Sequence, residues 1–180
     1  MREKYATSQI ALHWLTLLLI AVAYTTIELR GLAARGTVAR SLMIMTHFSC
    51  GVSVWVLMLV RAALRHRHTS PDINPAPPRW QHMLAHLMHF LLYALFLALP
   101  TLGVASKYLN GRPWQIFGLS MPVSSTPNFD LADTLIGWHE TLAPLGYWLI
   151  GLHAVAALLH HYILKDNTLI RMMPARKRNP

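Results

Sequence analysis

The chain has 180 residues, 54% of them hydrophobic and only 13% charged, with a formal net charge of +9. So few charges exclude an ordinary soluble domain and favour a bilayer protein. The Lys and Arg excess lies outside the apolar runs and forms no basic helix face, which argues against nucleic acid as a partner.

In chain order, the first apolar run covers residues 10–29, enough to cross about 30 Å of hydrocarbon at about 1.5 Å per residue. Arg2 and Lys4 before it and Ala21-Val22-Ala23 within it resemble a secretory leader. The run continues through Ile27 and contains His13, so it reads as an uncleaved span. A second span is expected over 42–64, with Ser41 as its N-cap. Its lone cysteine, Cys50, excludes an intrachain disulfide and a thiolate metal site, and reads as a small packed apolar residue. Arg65-His66-Arg67-His68 and a connector with Pro71, Pro75, Pro77 and Pro78 follow, extended rather than folded.

A third span is expected over 83–106 and contains Pro100 and Gly103. The longest connection, Tyr108 to Asp133, is rich in Gly and Pro, and Trp114, Phe117 and Phe129 are expected to lay it on the membrane surface. The fourth span is expected over 134–164, capped by Asp133 and kinked at Pro144. The fold class is therefore an all-α membrane protein, a bundle of four transmembrane helices forming one domain over 1–180.

Orientation follows from the basic residues beside the spans. One side receives Arg2, Lys4, Arg65, Arg67, Arg79, Lys165, Arg171, Arg176, Lys177 and Arg178; the other receives Arg30, Arg35, Arg40, Lys107 and Arg112. Ten against five places both termini in the cytoplasm.

Ionisable groups inside a bilayer are expensive, and here they are mainly histidines: His13, His47, His86, His89, His139 and His153. His139 and His153 are fourteen residues apart. On a helix they drift by only about 40° while separating by about 21 Å, so both face one way at two depths. His47 matches the level of His139 and His13 that of His153, giving an outer pair His47–His139 and an inner pair His13–His153. Zinc would gather its ligands at one depth; two histidine pairs at two depths suit two b-type haems. Bis-histidine ligation leaves iron no open position, which favours electron transfer over oxygen binding.

Gly51, one turn beyond His47, and Gly146, seven residues from both His139 and His153, would leave room for a flat macrocycle or serve close helix packing. His82, His86 and His89 form a stripe on span three and compete with His13 for the inner haem. His13 has in its favour an otherwise unbroken apolar helix.

Leu12-His13-Trp14, His47-Phe48-Ser49-Cys50-Gly51, Trp138-His139-Glu140-Thr141-Leu142, Gly151-Leu152-His153-Ala154 and Lys165-Asp166-Asn167-Thr168-Leu169 resemble the bacterial di-haem cytochrome b561 family over essentially the whole chain. The resemblance implies ligands from spans one, two and four, which supports His13 over the span-three stripe. It also implies an inner-membrane location. Within the family the superoxide oxidase type is most similar; it passes electrons from superoxide outside, through two haem b groups, to ubiquinone. A related fold serves as the cytochrome subunit of dehydrogenases and hydrogenases, which keeps an electron-transfer subunit with a soluble redox partner as an alternative. A metal or ion transporter using the span-three histidines is the third reading.

Outside the ligand set, Arg61 lies fourteen residues after His47, at inner-haem depth. It is a candidate for a haem propionate or for snorkelling to the interface. His160, seven residues beyond His153, could donate a hydrogen bond and a proton to a quinone, or simply meet water. Arg35, Lys107 and Arg112, with Arg30 and Arg40, could draw a small anion to the outer side, or be solvated charges.

Overall fold

Backbone polar groups cannot be left open in hydrocarbon, and a helix satisfies them within the segment. In the computed structural model, which describes residues 4–174, the apolar runs fold accordingly. They give α1 (Thr7–Leu29), α2 (Val38–Arg67), α3 (Arg79–Leu109), α4 (Phe129–Leu142) and α5 (Leu145–Tyr162). Four helical stretches are long and apolar enough to cross a membrane, α4 and α5 together making the fourth.

Each helix begins earlier than the apolar pattern suggests, because the caps lie in polar sequence ahead of the runs. Thr37, not Ser41, caps α2 by accepting from the Arg40 N–H at 3.4 Å. Ser41 instead donates back to the Thr37 carbonyl at 3.2 Å. Asn128, not Asp133, caps the fourth span, its Oδ1 accepting from the Leu131 N–H at 3.0 Å. The kink expected at Pro144 is a two-residue interruption between α4 and α5, where Ala143 and Pro144 keep helical backbone angles but proline removes a helical donor.

The helices form two halves. α1 packs along α2, and α3 along α4 and α5, with α2 and α3 joining the halves. At mid-depth the seam is closed by Ile20, Val54, Met58 and Phe96, with Tyr24 and Tyr93 against them. The outer surface is largely bare apolar side chain, such as Leu18, Phe90 and Trp148, as a lipid-facing surface requires.

The long connection does not simply lie on the surface. It holds a hairpin of β1 (Gln115–Ile116) and β2 (Leu119–Ser120), turned by Phe117 and Gly118, both at positive φ. Trp114 is buried against the Phe48 ring, while Phe117 stays exposed and donates its N–H to Ser49 at 2.9 Å. Phe129 is the first residue of α4.

Both ends of the described chain meet at one end of the bundle, where the Tyr5 N–H donates to the Arg171 carbonyl at 3.2 Å. Arg171, counted above among the orienting charges, is buried; its guanidinium donates to the Pro71 carbonyl and lies over the Tyr5 ring. Of the other orienting charges, Arg2, Arg176, Lys177 and Arg178 lie outside the described residues.

Candidate functional site

The two histidine pairs expected from spacing come together across the seam. His47 of α2 faces His139 of α4 with ring centroids 6.2 Å apart. At the other end, His13 of α1 faces His153 of α5, also at 6.2 Å. Two metal–imidazole bonds of about 2 Å each, extended by a ring radius on either side, sum to roughly 6 Å. Each pair is thus spaced to clamp one metal between its rings.

The outer pair is oriented for that task. The Nδ1 atoms of His47 and His139 lie 2.9 Å from the Ala23 carbonyl and 2.8 Å from the Leu99 carbonyl. A carbonyl only accepts, so both nitrogens carry protons and both Nε2 atoms keep free lone pairs, as metal-ligating imidazoles do. Neither acceptor was legible in the sequence, because a backbone carbonyl leaves no mark there.

A cavity of about 550 Å³ opens around this pair, lined by Gly51, Gly103, Arg30, Lys107 and Trp114 among others. That is a usual size for a cofactor pocket. A Cβ added at Gly51 would meet nothing within 4 Å, so this glycine does border open space. At Gly103 a Cβ would stand 3.3 Å from His139 Nδ1; this glycine lets the ring reach the Leu99 carbonyl, a role the sequence reading missed. Of the two readings open for Gly146, helix packing holds: the space above it is taken by the Tyr24 hydroxyl and the Phe96 ring.

The inner pair has a third neighbour. His89 reaches His153 with ring centroids 5.6 Å apart, closer than His13, so the competition noted in span three is physically present. Arg61 sits here as its spacing requires, with Nη2 3.0 Å from His13 Nδ1 and its guanidinium over the Tyr93 ring. Guanidinium only donates, so His13 Nδ1 accepts in this arrangement. Ligation through Nε2 needs the opposite tautomer, and Arg61 then has to turn from His13 to an anion such as a haem propionate. The outer pair fits the group as it stands, and the inner pair fits it once Arg61 turns.

His160 lies beyond the inner pair, its Nδ1 2.5 Å from Asp166 Oδ2. Burial raises the Asp166 pKa, but hydrogen bonds from His160 and Thr168 outweigh that and hold the carboxyl below its usual value. Of the outer cations, Arg30 and Lys107 line the cavity, Lys107 5.2 Å over the Phe48 ring. Arg40 spends its guanidinium on the Arg30 and Ala33 carbonyls. Arg35 and Arg112 are exposed and do not line the cavity.

Residues 4–175 match the family described as prokaryotic cytochrome b561. The chain is 50% identical to the probable superoxide oxidase CybB of Yersinia pestis, over 98% of this chain and 99% of that one. It is 48% identical to cytochrome b561 homolog 1 of Escherichia coli K12, over 97% and 99%. Cytochrome b562 of Cereibacter sphaeroides is more distant, at 31% over 96% of each chain.

Proposed function

The chain belongs to the prokaryotic cytochrome b561 family, which implies haem b, and from that we propose that it is a superoxide oxidase of the bacterial inner membrane, passing electrons to ubiquinone. The observation that carries this reading is the matched pair of histidine clamps, 6.2 Å each, at two depths of one bundle. The 50% identity to a probable superoxide oxidase over nearly both full lengths supports the substrate.

In this reading His47 and His139 hold the outer haem b and His13 and His153 the inner one. Bis-histidine haem iron supplies one-electron transfer without binding oxygen. Gly51 leaves room at the outer clamp, Gly103 lets the His139 ring reach its backbone acceptor, and Arg61 would neutralise a propionate at the inner clamp. Arg30 and Lys107 at the outer cavity, with Arg35 and Arg112 further out, give the approach a positive field for a small anion. Two superoxide anions each lose one electron and leave as dioxygen; one quinone takes both electrons and two protons and leaves as quinol. His160, braced by Asp166, is the proposed proton donor to that quinone. The basic residues beside the spans favour both termini, and hence the quinone end, on the cytoplasmic side.

Stopped-flow mixing of the purified, haem-loaded protein with superoxide tests the proposal. The haems should be reduced quickly and reoxidised by added ubiquinone. The rate should fall between about 0.1 M and about 1 M salt, as the screening length shrinks from about 10 Å to about 3 Å. Haems that stay oxidised with superoxide, yet are reduced by a co-purifying dehydrogenase, would replace the enzyme with an electron-transfer subunit.

A further inference from the structure

Two histidines of α3 take no part in the seam. His82 and His86 stand one turn apart near its start, with ring centroids 4.4 Å apart. With Pro77, Arg79 and Met83 they line a shallow cleft of about 540 Å³. Arg79, Met83, His86 and Phe90 follow at steps of three and four residues and so share one helix face. That face looks away from the bundle: Met83 and Phe90 are each 67% exposed. It therefore runs from a guanidinium, through two imidazoles with Met83 between them, to the bare apolar side chain of Phe90.

The surroundings add positive charge. Arg65 and Arg67 close α2 at the same end of the bundle, and both are exposed. The first turn of α3 contains no acidic residue. His86 Nδ1 lies 2.8 Å from the His82 carbonyl, which fixes the ring and turns its other nitrogen away from the backbone.

We propose that this face binds an acidic phospholipid, its phosphate against Arg79, His82 and His86 and its acyl chains along Met83, Leu87 and Phe90. Guanidinium and imidazole recognise phosphate by charge-assisted hydrogen bonds, and basic sites at span ends attract anionic lipids. A lipid joins that anion directly to a hydrocarbon chain, matching the order of groups along the helix. A divalent cation suits the cleft less well. Two imidazoles furnish half a tetrahedral ligand set, Arg79 repels it, and no third His, Cys, Asp or Glu gathers there among the described residues.

Native mass spectrometry of the haem-loaded protein, with phosphatidylglycerol or phosphatidylcholine added, tests this. Phosphatidylglycerol should be retained about fivefold better, the weight of one arginine near an anionic surface. Arg79→Gln, and separately the double change His82→Gln and His86→Gln, should each abolish that preference with the haem spectrum unchanged. Equal retention of the two lipids, or a preference that survives both variants, would overturn the site. So would displacement of phosphatidylglycerol by inorganic phosphate at equal concentration, which would identify a soluble-anion site. If one variant loses its haem, the other variant and the lipid comparison on the unaltered protein still decide.

Discussion

A histidine inside a bilayer is informative because little but a ligand or a buried hydrogen bond justifies it. That is why His47, His139 and His153 could be placed from spacing, and His13 from spacing together with the family resemblance, and each pair does meet across the seam. Replacing any one of the four with alanine should lower the pyridine haemochrome value from two haems to one per chain. His89→Ala should leave it at two. Loss of a haem with His89→Ala and none with His13→Ala would hand the inner site to α3, which the 5.6 Å approach of His89 to His153 makes a meaningful test. Gly51 gives an independent check on the outer site, because a Cβ there meets no protein atom within 4 Å and the position lines the cavity. Gly51→Leu should leave the thermal midpoint of the haem-free protein nearly unchanged and selectively reduce retention of the outer haem. An equal loss of stability without haem would mean that protein, not cofactor, fills that space.

At the scale of elements, hydropathy located the spans but not their ends, since Thr37 and Asn128 cap their helices from polar sequence that no apolar pattern marks. The same limit hid the hairpin: its strands have two residues each, too short for alternation to register, and Trp114 is held by Phe48, a partner distant in the chain. Gly146 was ambiguous for a related reason. Both a macrocycle and a neighbouring helix ask for a missing side chain, and only the Tyr24 hydroxyl, which donates to the Ala143 carbonyl at 2.7 Å, decides between them. That bond anchors α1 to the break between α4 and α5. Gly146→Ala should therefore overpack the contact and cost about 1–3 kcal/mol, read as a lower thermal midpoint. Adding Tyr24→Phe should recover part of the loss, because the atom in conflict is the hydroxyl itself.

Across the whole molecule, the chain is stitched together at the end where the two ends of its described residues meet. Trp14 Nε1 donates to the Met172 carbonyl at 2.9 Å, and Asn167 exchanges backbone and side-chain hydrogen bonds with Asn74. Asp166 steadies this clasp through His160 and the Thr168 N–H. Its folded pKa lies below the unfolded value, so its stabilisation is complete above about pH 3.9 and is lost as pH falls through the lower, folded value. Asp166→Asn should lower the melting temperature near neutral pH and shrink its further fall on acidification, measured by differential scanning calorimetry. An unchanged acid response would detach the carboxylate from the clasp. The clasp also has a bearing on biogenesis. It joins the first span to residues that follow the last one, so a nascent chain can insert its spans while Tyr5 and Trp14 still lack their partners. Closure of this end thus follows insertion of the spans rather than accompanying it, and a message truncated just after α5 would yield a protein that spans the bilayer with that end permanently open.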